Sequence, residues 1–132
     1  MDRLFLDANV LFSAAYRPGA GLLRLWKLPG AVLCSSSYAL EEARANLSTE
    51  SQRSRLAELS AELELFESIG GALPAGVSLP DKDVPILLAA VAARATHLIT
   101  GDLRHFGPLI SKKIAGITIL PPADYLRHYS SL

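Results

Sequence analysis

The sequence predicts an α/β protein, a three-layer α/β/α sandwich with a central parallel sheet of four or five strands. Short apolar runs bounded by turn residues alternate with helix-like segments along the chain, which is typical of parallel α/β folds. The later apolar runs are rich in β-branched residues and lack polar alternation, as expected of strands covered on both faces. With 132 residues the chain has the size of one ordinary domain, so we expect a single domain over residues 1–132.

Four apolar runs are the predicted strands of this sheet. They are Leu4–Leu6, Ala31–Cys34, His97–Thr100 and Gly116–Leu120. The last two are expected to be interior strands, because their apolar residues do not alternate with polar ones. The Pro/Gly-rich stretch from Leu73 to Pro80 is expected to be a loop, with at most a short strand at Val77–Leu79.

A long helix is predicted between Glu50 and Ser68 from the spacing of its apolar residues. These residues, at intervals of three and four, are Leu56, Leu59, Leu63 and Phe66. They form one stripe along a helix, and such a stripe faces the core. Thr49 and Gln52 fit a capping box at the start of the helix, and Gly70-Gly71 is expected to end it.

A second helix, from about Val84 to Arg94, is expected to be largely buried. The run from Ile86 to Ala93 is too apolar for a solvated surface, and Pro85 is acceptable in a first helical turn. The remaining predicted helices are Ala8–Leu28, interrupted at Arg17-Pro18-Gly19, the segment that begins near Ser37, and the short terminal segment Ala123–Tyr129.

The composition is that of a globular chain without a basic balance. Lysine and arginine together number 13, as do aspartate and glutamate, so the formal net charge is zero. Proteins that bind nucleic acid usually carry excess positive charge, so here a basic surface would require local clustering. The single cysteine, Cys34, excludes an internal disulfide and a cysteine-based zinc site. No apolar run is long enough for a signal peptide or a membrane span, and we expect a soluble cytoplasmic protein.

Four acidic residues lie at the ends of predicted elements, unlike ordinary surface carboxylates. Asp7 ends the first strand, and Asp102 follows the third strand after one glycine. Asp83 opens the buried helix, and Glu42 lies early in the helix after the second strand. Ligands of open α/β sheets bind outside the carboxyl ends of the strands. We therefore expect at least Asp7, Asp83 and Asp102 to lie close together.

Carboxylates gathered in one place repel each other unless protons or a divalent cation compensate their charge. All-oxygen ligation suits Mg²⁺ or Mn²⁺, and such an ion promotes hydrolysis of phosphodiesters by activating water and stabilising the phosphoryl oxygens. Each acid also has a structural interpretation. Asp83 has the position of an N-cap, Asp102 that of a turn residue, and Glu41 and Glu42 those of solvated helix charges.

Four segments of the chain carry the motifs of a known family. They are Leu6–Leu11, where an Asn follows the strand-ending Asp by two residues; Ser37–Leu47, a Ser-led helix with an acidic residue; Asp81–Ala90, an Asp before an Ala-rich helix; and Leu98–Phe106, with Thr-Gly-Asp after a strand. In this order they resemble the PIN-domain family. The resemblance implies the sandwich fold, an acidic pocket holding Mg²⁺ or Mn²⁺, and endoribonuclease activity on RNA. It also implies a toxin of a bacterial toxin–antitoxin pair, with a homodimer and an antitoxin protein as partners.

The resemblance assigns roles to particular residues. The catalytic and metal-binding residues would be Asp7, Glu42, Asp83 and Asp102, with Asn9 and Thr100 orienting them by hydrogen bonding. Glu42 is preferred to Glu41 because Leu47, five residues after Glu42, fits the spacing of the family. Asp83 is preferred to Asp81 because it directly precedes the buried helix. Both choices depend on register, so Glu41 and Asp81 remain alternatives.

The chain departs from the family pattern after the Thr-Gly-Asp motif. Many members have a further acid there, whereas Leu103, Arg104 and His105 follow Asp102 in this chain. The departure leaves open whether a second metal ion is fully liganded. Arg104 is a candidate phosphate contact, with an ordinary solvated arginine as the alternative. The three histidines show no metal-ligand spacing.

Two other functions compete with the nuclease. A PIN-like domain without activity would serve as an RNA-binding or protein-assembly module, and the neutral charge and the absent acid keep this alternative open. A phosphatase with Asp7 as covalent nucleophile is disfavoured, because Asn9 stands where a general-acid Asp would be expected and no suitable lysine motif follows. Metal uptake separates the nuclease from the module, and trapping of an aspartyl-phosphate would identify the phosphatase.

Overall fold

A central sheet of six strands organises the molecule. The computed structural model describes residues 1–68 and 70–129. In chain order the elements are β1 (Asp2–Leu6), α1 (Ala8–Tyr16), β2 (Ala31–Ser35), α2 (Ser37–Asn46), α3 (Glu50–Ser60), β3 (Glu64–Leu65), α4 (Val84–Ala92), β4 (His97–Ile99), β5 (Lys113–Ile114), β6 (Ile117–Leu120) and α5 (Pro122–Tyr129). None of the helices in this described part of the chain has the length and apolar character that crossing a bilayer requires.

The sheet is mostly parallel, as the sequence predicts. Its strand order is β3-β2-β1-β4-β6-β5. β1 pairs in parallel with β2 and β4, and β4 pairs in parallel with β6, whereas β5 pairs antiparallel with β6. Helices flank this sheet, and the predicted α/β class is confirmed. The sheet has more strands than predicted because the two-residue strands β3 and β5 extend its edges.

The central strands and α4 form the core. Leu4, Phe5 and Leu6 of β1 are fully buried, as are Leu98 and Ile99 of β4. Strands of this kind are covered on both faces. The buried residues of α4 are Ile86, Leu87, Ala89 and Ala90. This confirms the predicted buried helix, whose first turn lies at the same edge of the sheet as the ends of β1 and β4.

The helix predicted between Glu50 and Ser68 is shorter, because α3 ends at Ser60. The predicted capping box at its start is present. Beyond α3 the chain becomes extended as β3, and the N–H of Phe66 donates to the carbonyl of Ser35 at 2.9 Å. The extended segment thereby satisfies backbone groups at the open edge of β2, which a longer helix would leave without partners from the protein.

Three further boundaries differ from the prediction. The segment after α1 continues as a 3₁₀ helix, Gly21–Lys27, and not as an α-helix. Val77–Leu79 is part of a loop, in which the N–H of Val77 donates to the carbonyl of Pro74. β5 lies outside the predicted strands and is joined to β6 by Ala115-Gly116, whose φ values are 53° and 82°. Two consecutive positive φ values are those of a type I′ hairpin turn.

Candidate active site

A pocket of about 460 Å³ opens at the carboxyl ends of β1 and β4. Its polar lining consists of Asp7, Asn9, Glu42, Asn46, Lys82, Asp83 and Asp102. The four acids singled out from the sequence come from four separate parts of the chain, and the structure brings all of them to this one pocket. The pocket therefore concentrates negative charge at the sheet edge where α/β proteins bind ligands.

Asp7 directly follows β1 and is only 4% exposed. Its backbone N–H continues the β1–β4 ladder by donating to the carbonyl of Ile99 at 3.0 Å. Its Oδ1 accepts the N–H of Ala8 at 2.7 Å, which caps α1. The position of the carboxyl group is therefore determined by the end of the strand and the start of the helix together.

Thr100 and Asn9 surround the other oxygen of Asp7. Thr100 Oγ1 donates to Asp7 Oδ2 at 2.7 Å, and Asn9 Nδ2 donates to the same oxygen at 3.2 Å. The Thr100 hydroxyl also accepts the N–H of Asp102 at 3.0 Å, and Asn9 Oδ1 accepts the N–H of Gly101 at 2.8 Å. These two side chains thus link the end of β1 to the turn after β4.

Burial raises the pKa of the Asp7 carboxyl from its ordinary value of 3.8 to about 6. The hydrogen bonds from Thr100 and Ala8 oppose the rise, and the charges of Asp83 and Glu42 add to it. Such a carboxyl is only partly ionised near pH 6. A cation in the pocket would favour its ionised form.

The adjacent glutamates Glu41 and Glu42 lie on different sides of α2. Glu42 is half-buried and lines the pocket. Glu41 is exposed, and its Oε1 lies 3.6 Å from Nη1 of Arg44. Neighbouring residues of an α-helix point about 100° apart, so only one of the two can face the pocket. The structure places Glu42 in the pocket and Glu41 outside it, and the choice of Glu42 as a ligand stays a prediction.

The turn before α4 separates Asp81 from Asp83 in the same manner. Asp83 is 7% exposed and lines the pocket, whereas Asp81 is exposed. The side chain of Asp83 makes no capping hydrogen bond to α4, so helix capping does not account for its position. Burial raises the pKa of Asp83; the nearby His105 lowers it in part, and the carboxylate of Asp102 raises it.

His105 was not among the predicted site residues, yet the structure places it beside two of the pocket acids. His105 Nδ1 lies 2.7 Å from Asp83 Oδ2 and 2.9 Å from Asp102 Oδ2. The three atoms are all within 4.8 Å of one another. Asp7 and Glu42 line the pocket outside this tight cluster. The sequence feature that could have indicated this contact is the spacing of three residues between Asp102 and His105, which allows both side chains to lie on the same side of a turn.

Lys82 and Arg104 are the basic residues next to the pocket acids in the sequence, and only Lys82 lines the pocket among the described residues. Lys82 is exposed and lines the pocket, and its carbonyl accepts the hydroxyl of Tyr38 at 2.8 Å, which links α2 to the turn before α4. Arg104, the candidate phosphate contact, is exposed and lies outside the described lining of the pocket. Among the described lining residues, Lys82 is thus the lysine or arginine beside the carboxylates.

The sequence profile of the family described as PIN domain matches residues 3–104 of this chain. The chain belongs to the PIN-domain family. The matched region contains all four pocket acids and ends directly before His105. A comparison with curated proteins found no match.

Two solved structures share the PIN fold with this chain. A chain of VapBC2 from Rickettsia felis, bound to a DNA fragment from its promoter, superposes with a TM-score of 0.63 and 17% identity over 90% of this chain and 98% of that chain. A chain of FitAB bound to an IR36 DNA fragment gives a TM-score of 0.52 and 16% identity over 90% of this chain and 94% of that chain. At such identities the likeness is one of fold.

The PIN pocket fits the divalent ions that this family generally uses. Oδ2 of Asp83 is sealed from solvent and has no hydrogen-bond partner among the described residues. A buried carboxylate oxygen in this state is costly, and oxygen ligands suit hard divalent cations. Asp83 and Asp102, whose carboxylate oxygens lie within 4.8 Å of each other, would hold such an ion, with Glu42 and Asp7 in the same pocket.

Proposed function

We propose that the chain is a single nuclease domain over residues 1–132 that hydrolyses RNA phosphodiester bonds with Mg²⁺ or Mn²⁺. One observation carries the proposal, the convergence of Asp7, Glu42, Asp83 and Asp102 on a single pocket. Carboxylates at this density are unfavourable unless a cation compensates them. The arrangement therefore supports a cation-dependent reaction on an anionic substrate.

The pocket side chains would divide the tasks of the reaction. Asp83 and Asp102 would hold the ion, with Glu42 on α2 as a further ligand. When bound, the ion would stabilise charge on the phosphoryl oxygens and lower the pKa of the attacking water. Asp7, which lines the same pocket and is almost fully buried, would orient the water and accept its proton. Lys82 on the rim would attract a phosphate oxygen.

An arginine-rich groove beside the pocket supports RNA as the substrate. The groove has a volume of about 750 Å³ and is lined by Arg17, Arg24 and Arg127, with no carboxylate among its described lining residues. Phe12 lines both the groove and the carboxylate pocket. A nucleic acid whose scissile phosphate lies at the carboxylates would place its flanking phosphates along the arginines, and phosphate contacts dominate nucleic-acid affinity.

RNA cleavage by the purified protein, with two matched pairs of variants, tests the proposal. Cleavage is expected with Mg²⁺ or Mn²⁺ and not with EDTA. Asp83→Asn and Glu42→Gln should each lower the cleavage rate by at least about 100-fold, because each removes a carboxylate that would hold the ion. Asp81→Asn and Glu41→Gln change the same chemical groups at nearby exposed positions and should cleave like the wild-type protein.

Asp7→Asn completes this experiment. It should abolish cleavage while circular dichroism shows an intact fold, and cleavage that survives both EDTA and Asp7→Asn would count against a metal-dependent site. A folded protein that takes up no Mn²⁺ in titration calorimetry and cleaves no RNA would instead favour an RNA-binding or assembly module. Equal losses in both members of a matched pair would show that the pocket is not the reacting site.

We further propose that this nuclease is the toxin of a bacterial toxin–antitoxin pair, acts in the cytoplasm as a homodimer and binds an antitoxin protein. Membership of the PIN-domain family and the fold shared with chains of VapBC2 and FitAB support this role.

Induction of the wild-type chain in bacteria should arrest growth, whereas Asp7→Asn should not. Co-expression of a small DNA-binding protein encoded beside it should relieve the arrest, and light scattering should give the mass of a dimer. Normal growth during production of active protein would rule out the toxin role.

A further inference from the structure

The imidazole of His105 approaches two carboxylates from the turn after β4. Its Nδ1 lies 2.7 Å from Asp83 Oδ2 and 2.9 Å from Asp102 Oδ2. The three atoms lie within 4.8 Å of one another. Two carboxylate oxygens and an imidazole nitrogen at these separations form a set that can share one cation.

The contact between His105 and the two carboxylates is close, but it lacks the alignment of a regular hydrogen bond. Asp83 is more than nine-tenths buried, with 7% of its surface exposed. Neither its Oδ2 nor His105 Nδ1 has a hydrogen-bond partner among the described residues, although both atoms are sealed from solvent. The distance from Asp83 Oδ2 to His105 Nδ1 is nevertheless only 2.7 Å. Buried polar atoms in this state are rare in folded proteins, and an ion that both atoms share is one arrangement that would satisfy them.

The turn after β4 holds the imidazole in this position. The N–H of His105 donates to Asp102 Oδ1 at 3.0 Å, and the N–H of Phe106 donates to the carbonyl of Asp102 at 3.1 Å. Phe106 is fully buried and anchors the turn in the core. Asp102 thus uses one carboxylate oxygen to stabilise the turn and presents the other beside His105 Nδ1.

We propose that Nδ1 of His105 is a direct ligand of the divalent ion, together with the carboxylates of Asp83 and Asp102. This inference rests on the proposed function, since it concerns the ion of the same pocket. The imidazole comes from the part of the sequence where the family pattern has a further acid and where this chain has Leu103, Arg104 and His105. Nδ1 would bind the ion from a neutral ring that carries its proton on Nε2.

A nitrogen ligand changes which ion the pocket prefers. Mg²⁺ takes mainly oxygen ligands, whereas an imidazole nitrogen suits first-row transition ions. With one nitrogen and two carboxylates, the pocket should select Mn²⁺ over Mg²⁺. A carboxylate in place of His105 would remove most of this preference.

Electron spin-echo spectroscopy of the untagged full chain loaded with Mn²⁺ tests the inference independently of activity. An imidazole bound directly to Mn²⁺ should give ¹⁴N modulation in the wild-type protein. His105→Asp, which substitutes an oxygen ligand, should still bind Mn²⁺ but lose this modulation. In calorimetric titrations, the preference of His105→Asp for Mn²⁺ over Mg²⁺ should be at least about tenfold smaller than that of the wild-type protein. His128→Gln, which removes an exposed imidazole on α5, should keep both the modulation and the preference.

The outcomes separate this inference from the proposed function. Mn²⁺ binding without ¹⁴N modulation in the wild-type protein would overturn the inference and leave the proposed nuclease function standing. A folded chain that binds neither Mn²⁺ nor Mg²⁺ would overturn both. The decisive signal comes from the wild-type protein, so a variant that fails to fold does not affect the test.

Discussion

Asp7 combines a structural task with a chemical one. Its Oδ1 caps α1 through the N–H of Ala8, and its Oδ2 accepts hydrogen bonds from Thr100 and Asn9. The same carboxyl is almost fully buried, so its ionisation is unfavourable when no cation is near. A residue in this position stabilises the fold best when it is neutral and binds a cation when it is ionised.

Metal-free protein should lose stability relative to Asp7→Asn as the pH rises from about 4 to about 8. The pKa of Asp7 rises from 3.8 to about 6 on folding. Between these values the folded state binds more protons than the unfolded state, so the free energy of unfolding falls as the pH rises. The shift corresponds to a decrease of about 3 kcal/mol in the free energy of unfolding of the wild-type protein. Asp7→Asn should not show this decrease, because Asn does not ionise. Urea denaturation in EDTA at several pH values measures the difference between the two proteins.

Asp81→Asn is the control for this measurement, because it makes the same change at an exposed position and should follow the wild-type protein at every pH. Mn²⁺ added at about pH 8 should stabilise the wild-type protein more than Asp7→Asn, since an ion that binds only the folded state shifts the unfolding equilibrium. A stability difference between wild type and Asp7→Asn that is constant with pH would show that Asp7 does not titrate with a raised pKa.

At the scale of elements, α4 brings Asp83 to the site through small residues packed in the core. Ala89 and Ala90 of α4 are fully buried, whereas Val91 is 40% exposed. Protein cores are packed so densely that even one added methylene group displaces the neighbouring atoms. The position of Asp83, which directly precedes α4, therefore depends on small volumes at the buried positions of this helix.

Ala90→Leu should lower the free energy of unfolding by about 1–3 kcal/mol, because the larger side chain overpacks the core. It should also weaken Mn²⁺ binding, since α4 has to shift and Asp83 shifts with it. Val91→Leu is the matched change on the exposed side of the helix and should alter stability by less than about 0.5 kcal/mol. Urea denaturation and calorimetric titration measure the two effects. Equal stability of the two variants would mean that α4 is not closely packed at Ala90.

The sequence predicts the long elements and misses the short edge strands. β1, β2, β4, β6 and α4 each have their own run of apolar residues, which suffices for a prediction. β3 and β5 contain two residues each, too few to show a period. Leu63 and Phe66 continue the apolar spacing of α3, but the chain leaves the helix because its backbone pairs with the edge of β2. That pairing is a tertiary contact, which the spacing of apolar residues along the chain cannot predict.

At the scale of the whole molecule, some residues of the candidate site could be placed from the sequence and others could not. Asp7 and Asp102 could be placed from the sequence because each follows a strand, and parallel strands bring their carboxyl ends to one edge. Glu42 and Asp83 could be placed once a register was chosen. The contact between His105 and Asp83 could not, because it depends on where the turn after β4 lies relative to the start of α4.

The zero net charge of the chain conceals an uneven distribution of charge. Four acids line the carboxylate pocket, whereas Arg17, Arg24 and Arg127 line the adjoining groove; of these, Arg127 lies 3.4 Å from Oδ1 of Asp124. A nucleic acid responds to the potential of the surface that it contacts, and the sum of charges over the whole chain does not report that potential. RNA affinity should therefore depend on where arginines are removed and not only on how many.

Replacing both Arg17 and Arg24 by Ala should weaken binding of single-stranded RNA and make it less sensitive to salt. Each arginine that contacts a phosphate releases counterions, so losing two contacts should reduce the slope of log Kd against log salt by about 1.4. The matched control replaces Arg44 and Arg53 by Ala, which removes the same charge from exposed positions on α2 and α3. Fluorescence anisotropy in EDTA, where no cleavage is expected, measures both slopes. If the two double variants lose affinity equally, overall charge governs binding and the groove does not guide the RNA.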